Sequence, residues 1–350
     1  MKITVLMGGT SAERDVSLAS GLRIGHALRE SGHDVTLLDP ARGVIDAAAA
    51  AAMERAGVMK PSPPALDALH RMSHTSLSPS LGTLPAVREA DVVFLALHGG
   101  SGEDGTVQAL LDMVGVRYTG SGHLASALAM DKDLSKTLFR AAGVPTADWM
   151  LARRTDAGAV TADDVDRRLG WPVVVKPSKQ GSTVGLSIVR APADLAASSQ
   201  EASRYDDEVM IERFVPGREL TVSVLGDRAL PVGEIFPVHE IYDYECKYTA
   251  GMAREEFPAR LGPSESAELQ RLALASFRAL KLDGYARIDF RMTEAREYFC
   301  LEANTLPGMT PLSLLPQAAV AAGMDFGALC GRIVQLALEK PAAEASGGLR

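Results

Sequence analysis

The sequence has few cysteines and no long apolar run. Its three cysteines, Cys246, Cys300 and Cys330, are scattered and show no CxxC spacing. This pattern excludes a disulfide framework and a structural zinc site, and it favours a reducing compartment. No stretch approaches the roughly 18 apolar residues of a membrane helix, and no basic leader with an apolar core precedes the first strand. We therefore expect a cytoplasmic protein without membrane insertion.

Positive charge is also in deficit. The 350 residues include 36 Lys and Arg against 44 Asp and Glu, which gives a formal net charge of −8. An acidic chain without a basic block is a poor candidate for binding nucleic acid or an anionic membrane. An anionic ligand would have to be bound by a few locally placed cations and by backbone amides.

Several common catalytic signatures are missing. No GxGxxG follows the first predicted strand, and the pair Gly-Lys occurs nowhere, so there is no Walker A loop. The sequence contains neither a GxSxG nucleophile elbow nor an HExxH zinc motif. These absences exclude the most familiar dinucleotide, P-loop, serine-hydrolase and zinc-protease readings.

The first third of the chain alternates strand and helix patterns. Residues 91–97 are almost uniformly apolar, as expected of a parallel strand covered on both faces. The alternation predicts an open parallel sheet with its crevice beyond the carboxyl ends of the strands. The predicted strands are 2–7, 34–39, 91–97 and 116–119, and the predicted helices are 15–30 and 105–114. Residues 40–90 interrupt the alternation and predict a surface helix and loop.

The pattern changes after Gly120. One helix is predicted for 124–142, and a closing helix is predicted for 325–339 with Asp325 as its N-cap. Between them lie a predicted helix at 264–281 and predicted strands at 172–176, 185–190, 209–214, 219–225, 229–236, 284–292 and 297–303. These patterns predict a mixed α/β and α+β fold. Its predicted domains are 1–120, 121–212 and 213–340, followed by a frayed tail, 341–350.

A loop of small and polar residues follows the predicted strand 172–176. Lys176 would project a point charge from the end of this strand, and Gly181 and Gly185 permit close approach of the backbone. Such a loop suits phosphate oxygens, which amides and hydroxyls would surround. An ordinary hairpin with a solvated lysine fits the same residues about equally well.

The segment 285–304 places several polar side chains on two neighbouring strands. Arg287 and Asp289 are two residues apart, as are Glu302 and Asn304, so each pair shares one face of its strand. The short loop between the strands predicts an antiparallel hairpin that brings three oxygen-bearing side chains together. Because the set contains no His or Cys, we favour Mg²⁺ held partly by substrate phosphates over a simple polar sheet face.

Three further segments are candidates for a polar site. His98 begins the glycine-rich loop 98–105 at the end of an apolar strand, and either a catalytic histidine or an ordinary loop histidine fits it. Glu13 stands at the entrance of the first helix, where the helix dipole favours a carboxylate in any case. Ser313 and Leu314 begin another helix, whose free amides would suit a carboxylate or an oxyanion.

Six segments, in order along the chain, together resemble one known family. They are GGTSAERDVS (8–17), HGGSGEDG (98–105), YTGSGHLASALAMDK (118–132), VVKPSKQGSTVG (174–185), YDYECKY (242–248) and RIDF with LEANTLPGMT (287–310). In this order they are similar to the D-alanine:D-alanine ligases of the ATP-grasp superfamily. The resemblance runs from about residue 2 to residue 338.

The resemblance implies an ATP-grasp fold. An N-terminal open parallel-sheet (pre-ATP-grasp) domain would precede two antiparallel-sheet subdomains that clamp ATP. It implies that ATP phosphorylates the carboxylate of one D-alanine and that the amine of a second D-alanine attacks the acyl phosphate, for peptidoglycan precursor synthesis. It further implies two Mg²⁺ ions, with Mn²⁺ as a substitute, and a homodimer. The charge balance adds the expectation that no nucleic acid is bound.

The resemblance also implies roles for individual residues. The implied catalytic residues are Glu13, Ser182, Tyr248, Arg287, Gly308 and Ser313. The implied substrate-binding residues are His98, Lys247 and Leu314. The implied ATP-binding residues are Lys132, Lys176, Glu212, Arg213, Phe214, Val215 and Glu219. The implied metal ligands are Asp289, Glu302 and Asn304.

Tyr248 bears on the choice of substrate. Family members with this tyrosine resemble dipeptide-forming ligases, and ligases that make D-alanine:D-lactate lack it. In the family it closes a mobile loop over the site through a hydrogen-bonded set that corresponds here to Glu13, Ser182 and Tyr248. A D-alanine:D-lactate ligase, another ATP-grasp carboxylate–amine ligase and a non-enzymatic nucleotide sensor on the same fold are the alternatives.

Overall fold

The computed structural model describes residues 1–59, 79–153, 160–242, 244–249 and 251–340. Residues 60–78 of the predicted loop and the predicted tail 341–350 lie outside the described residues. Within the described ranges, fourteen strands form three sheets. The α-helices there are Arg14–Glu30, Ala47–Ala56, Pro85–Arg88, Thr106–Met113, His123–Met130, Lys132–Ala141, Ala162–Arg168, Leu195–Ala202, Tyr244–Tyr248, Pro263–Ala279, Leu314–Ala321 and Phe326–Glu339.

The first sheet has the strand order β3-β2-β1-β4. Its strands are β1 (Lys2–Leu6), β2 (Asp34–Asp39), β3 (Gly43–Ile45) and β4 (Val92–Leu95). Strands β2 and β4 run parallel to β1, and β3 is an antiparallel edge strand. All four residues of β4 are buried, because helices cover both faces, and this confirms the predicted open parallel sheet. The predicted strand 116–119 is reduced to one bridge, between Val93 and Tyr118.

The helix predicted for 124–142 is broken at Asp131. This residue has an extended backbone, with ψ of 103°, and its side chain accepts a hydrogen bond from the amide of Leu134 at 3.1 Å. It therefore caps the second of two helices, His123–Met130 and Lys132–Ala141. The break directs Lys132 towards the centre of the molecule.

The second sheet is antiparallel, with the order β5-β8-β6-β7. Its strands are β5 (Trp149–Arg153), β6 (Val173–Pro177), β7 (Ser187–Val189) and β8 (Glu208–Arg213). Alternate residues of β6, Val173 and Val175, are buried in an apolar cluster with Val165, Val209 and Ile211. The opposite face carries Lys176 and Glu212 towards the third sheet.

The third sheet has the order β12-β11-β9-β13-β14, with β10 paired to β9. Its strands are β9 (Arg218–Leu225), β10 (Arg228–Ala229), β11 (Gly233–Pro237), β12 (Ala253–Glu256), β13 (Tyr285–Met292) and β14 (Tyr298–Asn304). The single strand predicted for 229–236 is thus two strands. Leu269, Leu272 and Phe277 of the helix Pro263–Ala279 bury one face of this sheet. The other face is polar and looks into the site.

The two C-terminal helices return to the first sheet. Leu329, Ile333 and Val334 of Phe326–Glu339 are buried in one apolar cluster with Leu95 of β4. Asp325 caps this helix as predicted, since its side chain accepts from the amide of Ala328 at 2.8 Å. Across the described ranges, no single helix is long and apolar enough to cross a membrane. Only Leu314–Ala321 and Phe326–Glu339 together reach that length, and they are bent by 103°.

Candidate active site

The three sheets enclose two adjoining pockets. The first pocket is lined by the predicted site residues Glu13, His98, Lys132, Ser182, Lys247, Arg287, Glu302 and Asn304. The second pocket is lined by Lys176, Glu212, Arg213, Phe214, Val215, Glu219, Lys247 and Asp289. Residues from all three sheets contribute to this site, and Lys247 borders both pockets.

Gly308, Ser313 and Leu314 lie close together beside this site rather than along the walls of the two pockets. A Cβ atom at Gly308 would stand 2.6 Å from Ser313 Oγ, so this approach requires glycine. Ser313 Oγ accepts a hydrogen bond from the amide of Thr310 at 3.0 Å and precedes the helix Leu314–Ala321, as predicted. The side chain of Leu314 is buried in an apolar cluster with Tyr242.

A hydrogen bond across the first pocket joins the segment after β1, which contains Glu13, to the loop after β6, which contains Ser182. Ser182 Oγ donates to Glu13 Oε1, and Ser182 has a left-handed backbone, with φ of 49°. Glycines allow the carboxylate to fit here, because a Cβ atom at Gly99 or at Gly181 would lie 3.0 Å from Glu13 Oε2. Two of the three members of the predicted lid-closing set are therefore in contact.

His98 is buried and holds the loop that contains Gly308. Its Nδ1 lies 2.8 Å from the carbonyl oxygen of Leu306, which assigns the proton to Nδ1. Its Nε2 lies 3.3 Å from Ser20 Oγ, which in turn accepts from the amide of Met309 at 3.1 Å. Burial lowers the pKa of His98, which favours the neutral ring that this pattern needs. Both ring nitrogens therefore bond to protein atoms, although His98 also lines the first pocket.

Glu103 is a site residue that the sequence analysis did not single out, although it lies within the segment 98–105. Its carboxylate accepts from the amide of Gly99 at 2.6 Å and from the amide of Leu306 at 3.2 Å. Burial, together with the nearby charge of Glu13, raises its pKa to about 8. Glu103 thus ties the His98 loop to the chain that leads to Gly308.

We expect Ser20→Ala to lower the free energy of unfolding by about 1–3 kcal/mol. The substitution leaves the buried Nε2 of His98 and the amide of Met309 without their shared partner. Urea unfolding measures the change. Ser31→Ala at the exposed end of the same helix is the control, and we expect it to change stability by at most about 0.5 kcal/mol. Equal stabilities for the two variants would contradict the account of this loop.

Lys132 and Glu302 form an ion pair across the first pocket. Lys132 Nζ lies 3.3 Å from Glu302 Oε2 and donates to the carbonyl oxygen of Gln180 at 2.7 Å. Burial alone would raise the pKa of Glu302, but Lys132, Lys247 and other cations outweigh it and lower the pKa to about 2. Glu302 is therefore ionised at neutral pH and faces several cations.

The predicted hairpin of Arg287, Asp289, Glu302 and Asn304 is confirmed. The register pairs Arg287 with Asn304 and Asp289 with Glu302. Arg287 donates twice to the Asp289 carboxylate, at 2.8 Å and 2.9 Å, and Asn304 Nδ2 donates to it at 3.0 Å. Burial would lower the pKa of Arg287, but the negative charges of Asp289 and Glu302 outweigh the effect of burial. The pKa of Arg287 is therefore raised above its usual value. The guanidinium is therefore a permanent charge at the edge of the first pocket.

The donor set of this hairpin fits a hard divalent cation. Asp289, Glu302 and Asn304 supply oxygen atoms only, which suits Mg²⁺ better than softer metals. Across the described ranges, no group of three or more His, Cys, Asp or Glu side chains forms a ready cage. Such a partial set matches a Mg²⁺ ion that takes its other ligands from substrate phosphates and water.

The second pocket is lined by charged groups that are held in place by other side chains. Both oxygens of Glu212 bond to lysines, and Lys176 Nζ is 2.7 Å from Oε2. Residues 213–215, which follow Glu212, also line this pocket. Arg291 lies 3.3 Å from the Glu219 carboxylate and donates to the carbonyl oxygen of Val215 at 3.1 Å. The pKa of Glu219 is raised by burial.

A short helix, Tyr244–Tyr248, lies over both pockets. Cys246 of this helix is buried against Ile235, Tyr242 and Leu314, and Lys247 faces the pockets. The side chain of Tyr248 lies outside the described part of the chain. Its predicted contact with Ser182 therefore stays a prediction.

An open parallel sheet followed by two antiparallel sheets that close on a charged pocket defines an ATP-grasp fold. A family model for the D-ala D-ala ligase N-terminus matches residues 2–121, and one for the D-ala D-ala ligase C-terminus matches residues 138–335. The chain belongs to the D-alanine–D-alanine ligase family.

Individual relatives match over nearly the full length. The D-alanine–D-alanine ligase of Geobacter sulfurreducens is 44% identical over 352 residues, covering 99% of this chain and 97% of the relative. That of Citrifermentans bemidjiense is 43% identical and covers 96% of each chain. A crystal structure of the Bacillus anthracis D-alanine–D-alanine ligase complexed with ATP superposes with a TM-score of 0.74, at 30% identity, over 97% of each chain.

Proposed function

We propose that this protein joins two D-alanine molecules into D-alanyl-D-alanine, with conversion of ATP to ADP and phosphate. The observation that carries the proposal is the convergence of all three sheets on one site. Glu13 follows strand β1 of the first sheet, and Ser182 follows strand β6 of the second. Arg287 and Glu302 lie on strands of the third sheet. Such a site holds a small zwitterion beside a highly charged phosphate donor.

We place the nucleotide in the second pocket. Its base would lie against the backbone of residues 213–215, and its ribose hydroxyls would bond to Glu219. Lys176, near the end of β6, and Lys132, at the start of the helix Lys132–Ala141, would bind the phosphates as point charges. A few placed cations would then bind the triphosphate although the chain as a whole is acidic.

Asp289, Glu302 and Asn304 would hold two Mg²⁺ ions together with the phosphates. When bound, Mg²⁺ neutralises phosphate charge that develops during transfer. Arg287 keeps the Asp289 carboxylate oriented, and Thr221 Oγ1 donates to Asp289 Oδ1 at 2.8 Å. These contacts fix the ligand oxygens before the nucleotide arrives.

The chemistry follows from the weakness of a carboxylate as an acyl donor. A carboxylate oxygen of the first D-alanine attacks the γ-phosphorus of ATP, ADP leaves, and D-alanyl phosphate forms. Glu13 would bind the ammonium group of this D-alanine, and Arg287 with the amide of Gly308 would stabilise the oxyanion. The amine of the second D-alanine attacks the acyl carbon, loses a proton and expels phosphate.

Residues around the pocket would position the second D-alanine and exclude water. Ser313 and the amide of Leu314, at a helix start, would bind its carboxylate. Lys247 and Tyr248 would cover the site, because water would hydrolyse the acyl phosphate. The contact between Ser182 and Glu13 provides a docking point for that cover.

The cellular setting belongs to the same proposal. The dipeptide is a building block of peptidoglycan, so we place the protein in the cytoplasm, where such precursors are assembled. We also propose a homodimer, which sedimentation equilibrium would test directly. A monomer over the range of working concentrations would contradict that part.

The competing function is ester formation with D-lactate as the second substrate, and Tyr248 argues for the dipeptide. We expect ATP and D-alanine to yield the dipeptide and phosphate in equal amounts. L-alanine alone should yield neither, and D-lactate added to D-alanine should yield little ester. Mass spectrometry of the products with a phosphate assay measures this. Ester as the main product would favour the D-lactate ligase, and no ATP turnover would contradict both.

A further inference from the structure

A fully buried lysine lies beside the second pocket without lining it. Lys136, on the helix Lys132–Ala141, has no exposed surface, and its ammonium group donates to Glu212 Oε1 and to Thr146 Oγ1, at 2.5 Å for the latter. The Trp149 ring lies 5.0 Å from Nζ. Burial of an ammonium group carries a large desolvation penalty unless the group is paired. We therefore asked what Lys136 contributes at this position.

Glu212 links this lysine to a second one. Oε1 bonds to Lys136 and Oε2 to Lys176, so one buried carboxylate has two cations. Burial would raise the pKa of Glu212, but the two ammonium groups outweigh it and lower the pKa to about 2. The side chain of Lys136 is fully buried, whereas that of Lys176 is 11% exposed and lines the second pocket.

The buried end of this triad also reaches the third sheet. Thr146, which accepts from Lys136, donates to the carbonyl oxygen of Cys300 on β14 at 2.8 Å. Glu302, two residues further along β14, faces the first pocket. The ammonium group of Lys136 is thereby held by both Glu212 and Thr146, and it cannot reach a ligand in the pocket. Lys176, in contrast, lines the second pocket.

We propose that Lys136 is a positioning residue that allows Lys176 to exchange Glu212 for the phosphates of the nucleotide. This inference rests on the nucleotide site proposed above. When Lys176 turns to a phosphate, Glu212 keeps Lys136 as its counter-ion and is not left as a buried, unpaired carboxylate. Without Lys136, the Glu212 carboxylate holds Lys176 as its one remaining cation, and the phosphates have to compete for it.

Direct binding tests this in the full-length protein. Calorimetry would measure the Kd of β,γ-imido-ATP with Mg²⁺ and the Kd of adenosine, which has no phosphate. We expect Lys136→Met to raise the Kd of the ATP analogue at least tenfold and that of adenosine less than threefold. If Lys136 had a purely structural role, its replacement would weaken the binding of both ligands to the same extent. The control is Arg140→Met, one turn further along the helix, where an exposed arginine stacks on the same Trp149 ring at 4.3 Å.

A second variant separates the charge from the packing. We expect the double variant Lys136→Met with Glu212→Gln to bind the ATP analogue more tightly than Lys136→Met alone, because the neutral amide no longer retains Lys176. If Lys136→Met does not fold, Lys136→Gln carries the same expectations. Unchanged ATP-analogue affinity in the single variant, or no recovery in the double variant, would overturn the inference. Failure of the wild-type protein to bind the analogue would instead contradict the proposed nucleotide site.

Discussion

Glu302→Gln is expected to reduce ATP-dependent dipeptide formation by about a thousandfold or more. The substitution replaces a charged carboxylate among the proposed Mg²⁺ ligands with a neutral amide, and it removes the negative charge that Lys132 faces at 3.3 Å. Loss of metal-assisted charge neutralisation costs several kcal/mol in the transition state, and each 1.4 kcal/mol is about a factor of ten. Phosphate release at saturating ATP, D-alanine and Mg²⁺ measures the effect.

The same hairpin offers a matched control. Glu297 is exposed at the turn between β13 and β14, so Glu297→Gln changes the same charge without touching the site. We expect it to retain wild-type turnover. Thermal unfolding of both variants distinguishes a lost ligand from a lost fold. Turnover of folded Glu302→Gln within tenfold of the wild type would contradict the assignment of Glu302 as a metal ligand.

Arg287→Lys is expected to lower kcat by about a hundred- to a thousandfold. Removing one preorganised donor from an oxyanion site costs about this much. Lysine keeps a charge but loses the planar fork that donates twice to Asp289 and faces the first pocket. Because Arg287 does not line the second pocket, we expect the KM for ATP to stay within about threefold of the wild type.

The control for Arg287 is Arg254 of β12, which is exposed and pairs with Glu256 on the same strand. Arg254→Lys should leave both kinetic constants unchanged. A Mg²⁺ titration of Arg287→Lys shows whether Asp289 still binds the ion with normal affinity. Wild-type kcat in Arg287→Lys, or a loss confined to the KM for ATP, would rule out the proposed role at the oxyanion.

Local patterns were sufficient for the hairpin that carries the proposed metal ligands. Period-two spacing put Arg287 with Asp289 and Glu302 with Asn304, and a short loop fixed the antiparallel pairing that the structure confirms. The parallel first sheet was equally visible, because strand and helix patterns alternate along this part of the chain and β4 is apolar on both faces. In these segments the neighbours that decide the structure are close in sequence or repeat a simple pattern.

Sequence patterns failed where a boundary depends on one residue or on partial burial. Leucines recur at helical spacing on both sides of Asp131, so two helices were predicted as one. Strands β5 and β12 were not predicted, because both lie at sheet edges and have no regular alternation of buried and exposed residues. Their positions are set by the strands next to them rather than by their own sequence.

The supporting residues of the site were the hardest to predict. Lys136 looks like a solvated lysine on an amphipathic helix, and its partner Glu212 is 76 residues away in sequence. Ser20 meets Met309 across 289 residues, and Glu103 meets Leu306 across 203. Single polar residues of this kind show their role only through distant contacts, which composition and spacing do not encode.

The central claim is that this site activates a carboxylate by phosphorylation. The most direct measurement uses D-alanine labelled with ¹⁸O in both carboxylate oxygens, with mass spectrometry of the released phosphate. Because the attacking carboxylate oxygen stays with the phosphate when the amine displaces it, the account predicts one ¹⁸O atom in each phosphate released. Dipeptide formation with unlabelled phosphate would contradict it.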